Sequence, residues 1–162
     1  MLNDTLIEMI QAQSAREALA RHTYQSRSLW CALQGYDGAQ AWFAMNAAEE
    51  GEHLAKWLQF AADYADVQIP LPTVLEAQEQ PGSLLEAFQD TLALELSVTE
   101  AINAIAAAGD ETAQELKAFC QWFLLEQIAS VSEIRTIVRW LERAPDAAGL
   151  FMADEKIGEL AE

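Results

Sequence analysis

The sequence predicts an all-α protein: a four-helix bundle with one long crossover connection and a short fifth helix at the C-terminus. Three observations predict it. Four long segments carry apolar residues every third or fourth position, the spacing of one helix face. Glycine is scarce outside the connections, and long stretches contain no proline. The connections run short, long, short. Short ones join antiparallel neighbours, and a long one lets the third helix run parallel to the second. With 162 residues and 52% apolar composition, the chain is read as one domain, residues 1–162, with a sizeable core.

The first helix is expected from near Asp4, capped by Asn3 or Asp4, to about Leu33. Its stripe is Leu6, Ile10, Glu17, Ala20, Tyr24 and Cys31. The run Gln34-Gly35-Tyr36-Asp37-Gly38 reads as a tight turn. The second helix then runs from about Ala39 to Ala65, with Phe43, Glu50, His53, Trp57 and Phe60 on one face. VQIPLPTVLEAQEQPG follows, with Pro70, Pro72 and Pro81, a non-helical connection about as long as a bundle edge. The third helix starts at Ser83, where Ser83-Leu84-Leu85-Glu86 forms a capping box, and Gly109 ends it. Its face carries Phe88, Leu92, Glu95, Ile102 and Ile105. Asp110 is expected to cap the fourth helix, which runs to about Ala144, ahead of Pro145. Its face carries Phe119, Phe123, Gln127, Ser130, Ile134, Ile137 and Leu141. The bundle thus occupies about 4–144, and a fifth helix is expected over about 151–162.

The formal net charge is −17, from 26 acidic against 9 basic residues. That balance argues against nucleic acid and anionic membrane as partners and permits the accumulation of cations. The N-terminal stretch is amphipathic and broken by charge, unlike a secretion signal. No apolar run approaches the ~18 residues of a membrane span. The expected location is the cytoplasm. Cys31 and Cys120 have no framework spacing and read as small buried apolar residues.

Glu17, Glu50, His53, Glu95 and Gln127 each interrupt an apolar stripe near the middle of a long helix. Without a cation, charged carboxylates at that depth would cost roughly several kcal/mol each. Glu50 and His53 are three apart, so both project from one helix face toward one ion. A Glu-x-x-His pair alone is ordinarily a solvated acidic face. The coincidence of such residues at one level on four helices points to a metal site instead. Carboxylates with a single imidazole suit iron or manganese, and cysteine plays no part, which argues against structural zinc. Tyr24 lies two turns from Glu17 on the same face, where its hydroxyl is placed either to bond a ligand or to be satisfied within the core. Trp122 stands beside the stripe as a packing residue near the site, and His22 lies off it, on the surface.

Taken together, Glu17, Tyr24, the Trp30-Cys31 pair, Glu49-Glu50-x-x-His53, Glu95, Trp122 and Glu126-Gln127 resemble the ferritins, and among them the bacterial non-haem type. The resemblance covers the whole chain, including the fifth helix. It implies a ferroxidase centre binding two irons per subunit. Glu17 and His53 would hold the first, Glu50 would bridge, and Glu95 would hold the second. Gln127 would orient a water or an oxygen species, and Tyr24 would be a redox-active tyrosine. It further implies a homo-oligomeric hollow cage of 24 subunits storing hydrated ferric oxide, with dioxygen or peroxide as oxidant.

Three departures qualify it. Bacterioferritins repeat Glu-x-x-His on the fourth helix, whereas here Ala129 and Ser130 follow Glu126 and Gln127 at the third position. Glu52 stands where their haem-binding methionine would be, so no haem is expected. Ala129 and Ser130 also replace the glutamates of a third iron site, leaving Glu49 and Glu126 as accessory acids. The acids lining the three-fold channel of animal ferritins fall on Lys117 and Cys120. The expected function is iron storage and detoxification with ferroxidase activity. The alternative is a di-iron or di-manganese carboxylate oxidase or peroxidase that works without a cage.

Overall fold

The computed structural model describes residues 2–73, 80–109 and 113–161, and among them every regular element is helical. The first helix, α1 (Asp4–Gln34), begins where the Asn3 side chain accepts the Leu6 N–H at 2.9 Å. It ends at Gly35, whose left-handed backbone (φ 79°) suits a residue without a Cβ and lets the Tyr36 N–H return to the Cys31 carbonyl at 3.0 Å.

The second helix, α2 (Asp37–Ala65), starts two residues before the expected Ala39. Its preceding residue, Tyr36, supplies no side-chain cap. The cap comes instead from the far end of the sequence. The fifth helix, α5 (Ala147–Glu159), presents the buried Asp154 carboxylate, which accepts the Gly38 N–H at 3.0 Å and the Ala39 N–H at 2.8 Å. A carboxylate there satisfies two unpaired donors and sits at the positive end of the helix dipole. Gly38 makes this approach possible, since a Cβ on it would lie 1.9 Å from the Asp154 carbonyl oxygen. α5 itself begins four residues before the expected Phe151, because Asp146 caps it by accepting the Gly149 N–H at 2.9 Å.

The third helix, α3 (Leu84–Ala108), is capped by the Ser83 hydroxyl, which accepts the Glu86 N–H at 3.1 Å. The Glu86 carboxylate reaches back to the Gly82 N–H at 2.7 Å, one residue beyond the expected box. The expected Asp110 cap lies outside the described residues. The fourth helix, α4 (Gln114–Glu142), follows Ala113 and ends two residues short of Ala144, its last carbonyls taken by the Arg143 and Ala144 N–H groups.

α1 packs along α2 and α3 along α4, α1 also meets α3, and α5 closes one end against α2 and α4. This is the expected four-helix bundle with its long connection between α2 and α3. Contrary to the expectation from hydropathy, α3 is long and apolar enough to cross a membrane by length and composition, with mean hydropathy 1.3 over an 18-residue window. Here Phe88, Val98, Ile102 and Ile105 use its apolar face to build the core.

The core is divided in two. One apolar cluster surrounds Trp42, Phe43, Phe88, Ile134 and Ile157, with Phe43 and Phe88 stacked at 4.8 Å. The other surrounds Ile10, Trp57, Ile102, Leu116 and Phe123, with Trp57 and Phe123 stacked at 4.9 Å. Between them lies a layer containing the buried Glu17, Glu50, His53, Glu95 and Gln127.

The α2–α5 joint gives a test whose sign is informative. Alanine normally stabilises a helix by about 1 kcal/mol over glycine. At position 38 the steric conflict with the α5 backbone should outweigh that gain. Gly38→Ala is expected to destabilise by about 1–2 kcal/mol and to lower the thermal unfolding midpoint, followed by circular dichroism.

Candidate metal centre

Each side chain of the polar layer is aimed by the helical spacing that exposed it in the sequence. Glu50 and His53 point from adjacent turns of α2, with His53 Nδ1 3.4 Å from Glu50 Oε2. Glu17, from α1, places Oε2 4.0 Å from the same nitrogen. One ligand atom from each of these three buried residues lies within 4.8 Å of the others. The other imidazole nitrogen, Nε2, faces Glu49 at 4.0 Å. The imidazole is walled by Phe123 at 5.3 Å and Trp122 at 6.0 Å, both edge-on. Trp122, expected to serve packing, therefore also flanks His53, and Lys56 sits 4.2 Å over its outer face.

Glu95 and Gln127 form a second group on α3 and α4. Gln127 Nε2 donates to Glu95 Oε2 at 2.8 Å, to the Glu95 carbonyl at 3.2 Å and to Thr99 Oγ1 at 3.2 Å. Tyr24 donates its hydroxyl to Glu95 Oε1. Both Glu95 oxygens thus already accept a hydrogen bond, and Glu95 is not part of the tight Glu17–Glu50–His53 cluster. Gln127 turns its donor end to Glu95, which leaves its carbonyl oxygen as the remaining polar atom.

The electrostatics follow from burial. Desolvation raises the Glu17 carboxyl well above its ordinary range, and the neighbouring Glu50 carboxyl pushes the same way. Burial likewise lifts Glu50 to about 8. Burial thus favours the protonated form of both carboxyls, which a bound cation would oppose. The Tyr24 phenol is raised well above its usual value by burial and by the Glu95 and Glu50 charges, so it stays neutral. Burial also pushes the Cys31 and Cys120 thiols to about 12 and about 11. Both are free and buried, as their residue type suggested. Cys120 lies inside the second apolar cluster.

A cavity of about 200 Å³ opens from the layer between α2 and α4. Glu50, His53 and Gln127 form its floor, and Asn46, Glu49, Glu126, Ala129, Ser130 and Glu133 line its walls. The expected accessory acids, Glu49 and Glu126, therefore stand at the mouth, while positions 129 and 130 bring no carboxylate to it. Glu133 was not singled out by the sequence pattern, and its Oε1 accepts the Trp42 indole N–H at 2.7 Å. Other residues were also missed. Gln13 Nε2 donates to Glu17 Oε1 at 2.6 Å, and Trp57 Nε1 donates to the same oxygen at 3.1 Å. Arg27, buried three residues after Tyr24, donates to Thr91 Oγ1 and pairs with Asp90 at 3.7 Å. The signal for Gln13 was present, since it lies one turn before Glu17 on the same stripe. Trp57 read as packing because its ring is apolar and its single N–H leaves no trace in periodicity.

Known proteins resemble this chain over most of its length. A family model described as a ferritin-like domain matches residues 7–144. The bacterial non-heme ferritin of Staphylococcus epidermidis is 29% identical, over 96% of this chain and 94% of its own. That of Campylobacter jejuni is 28% identical over 99% and 97%. Among solved structures, an open pore ferritin from the hyperthermophilic archaeon Archaeoglobus fulgidus superposes with a TM-score of 0.91 over 98% of both chains. At 22% identity it speaks to the fold alone.

The raised carboxyls set a pH dependence. A carboxyl whose folded pKa exceeds its unfolded value favours folding below the unfolded pKa and loses that contribution as pH rises through the folded one. The metal-free protein should therefore lose stability as pH rises from about 4.5 toward about 8. Glu50→Gln should flatten part of that slope, as measured by unfolding midpoints in chelator at successive pH values.

Proposed function

Because the chain belongs to the ferritin-like domain family, we propose that it stores iron, oxidising Fe(II) to Fe(III) at a centre within each subunit and retaining the product in a closed homo-oligomer. The observation that carries this reading is the buried Glu17–Glu50–His53 cluster between two apolar half-cores. Hard carboxylate oxygens with one imidazole nitrogen are a ferrous donor set. The Glu17 oxygen facing the cluster is buried with no hydrogen-bond donor, an arrangement that a cation completes.

In this reading Glu17 Oε2 and His53 Nδ1 bind the first ferrous ion, and Glu50 bridges to a second held by Glu95. Entry of the cations displaces the protons that burial keeps on Glu17 and Glu50. Each ferrous ion gives one electron to dioxygen, and two protons complete the balance: two Fe(II), one dioxygen and two protons yield two Fe(III) and one hydrogen peroxide. Gln127 holds Glu95 in place through its amide. Tyr24, hydrogen-bonded to Glu95, is placed to supply the second electron when only one ferrous ion is bound: one Fe(II), one tyrosine, one dioxygen and one proton yield one Fe(III), one tyrosyl radical and one hydrogen peroxide. Ferric product leaves by the cavity between α2 and α4, past Glu49, Glu126 and Glu133. Position 130 offers only a hydroxyl, a poor iron ligand beside carboxylates, so two ions per subunit bind tightly rather than three.

Assembly is supported by what a lone subunit would expose. Leu29, Leu33, Leu71, Leu125, Ile128, Phe151 and Met152 are each more than half exposed. Side chains of this size in such number call for burial against further copies. The resemblance supports a count of 24, and assembly favours the storage reading over a cage-free oxidase.

The decisive experiment is Glu50→Ala. A carboxylate touching both ions should be indispensable, so rapid oxygen consumption with ferrous iron should nearly vanish while the particle keeps its size by gel filtration. Wild-type oxidation rates in the variant, or a monodisperse wild-type monomer, would sink the reading. Tyr24→Phe separates chemistry from packing. It should leave iron uptake intact but slow the oxidation, and any tyrosyl signal seen by electron paramagnetic resonance in wild type should disappear.

A further inference from the structure

Resting on the metal-centre reading above, we infer that Gln13 and Trp57 are positioning residues that restrict Glu17 to binding metal through one oxygen. A carboxylate can chelate through both oxygens or bind through one, and the choice sets how many coordination positions an ion keeps for other ligands. Here the two oxygens of Glu17 are differently committed. Oε1 accepts N–H groups from Gln13 at 2.6 Å and from Trp57 at 3.1 Å. Two donors occupy the two lone-pair directions of that oxygen. Oε2 accepts none, is buried, and faces His53 Nδ1 at 4.0 Å.

Both donors are locked. Gln13 and Trp57 are fully buried. The Trp57 indole stacks on Phe123 at 4.9 Å and meets Phe119 edge-on at 4.9 Å. Phe123 in turn packs against the His53 ring at 5.3 Å, so one aromatic cluster sets both the donor on Glu17 and the imidazole across from it. The Gln13 amide cannot reverse against ionised Glu17 without placing oxygen against oxygen. Freed of these donors, Glu17 could rotate and chelate, filling a coordination position that the one-oxygen geometry leaves open.

The test uses Co(II), added without oxygen to the assembled protein, because its visible d–d absorption falls as coordination number rises and it undergoes no oxidation there. Wild type should bind Co(II) with the stronger absorption of a low-coordinate site. Trp57→Phe keeps the aromatic packing but loses the N–H, and Gln13→Met keeps the length but loses the amide. Each should weaken the first Co(II) by about tenfold, the lower end of what outer-shell partners of a metal ligand contribute. Each should also lower the absorption per bound ion, a change that mere loosening of the core would not produce in both variants alike. If Trp57→Phe fails to assemble, Gln13→Met decides alone. Unchanged affinity and spectrum in the variants, with wild type binding Co(II), overturns this inference and leaves the metal centre standing. A wild type that takes up no Co(II) overturns both.

Discussion

The structure turns on one constraint: acidic groups held at the middle of an apolar bundle. A core of this size would ordinarily be continuous. Here it is split into two clusters by a polar layer drawn from α1, α2, α3 and α4. Leaving water favours the protonated forms of Glu17 and Glu50, and neighbouring donors offset part of that cost. Gln13 and Trp57 solvate one oxygen of Glu17, and Gln127 and Tyr24 solvate Glu95. The apolar clusters on either side supply the stability that the layer gives up, in the manner of a site strained for use rather than optimised for folding.

The two halves of the centre are prepared differently. Glu17, Glu50 and His53 already converge, with an oxygen free to accept a cation. Glu95 is engaged on both oxygens by Tyr24 and Gln127. Its hydrogen bonds tie the tyrosine to the polar layer, so a change of charge at Glu95 is felt directly by the phenol. Arg27, one turn along from Tyr24, places a buried positive charge beside that pair. The acidic cavity walls and the overall negative charge continue the same field outward, favouring cations on the α2–α4 face.

Much of this was legible in the sequence. Each stripe was interrupted by the residue that the fold then buried, because helical periodicity projects straight into packing. The capping signals at Asn3 and Ser83 marked two helix starts, and Gly35 marked a stop. What escaped was non-local. The start of α2 moved to Asp37 because its cap is Asp154, more than a hundred residues away. Gln13 lay on the stripe yet carried no distinct signal, since a buried glutamine is recognised only by the carboxylate it meets. Trp57 was hidden by its own hydrophobicity. Arg27 runs against the expectation that arginine is exposed, and its partners Thr91 and Asp90 belong to a different helix. The fifth helix was found but started late, because Asp146 was not weighed as a cap after Pro145.

The Asp154 contact also has a temporal meaning. During synthesis α2 emerges long before the residue that caps it. Until position 154 is available, the first turn of α2 has two N–H groups without their carboxylate, and the helix bearing Glu50 and His53 is free to fray at that end. Completion of α5 closes the turn and anchors α2 against the bundle. The joint therefore ties the start of α2 to a residue more than a hundred positions later in the chain. Fragments that stop short of α5 lack the clasp on the helix that carries Glu50 and His53.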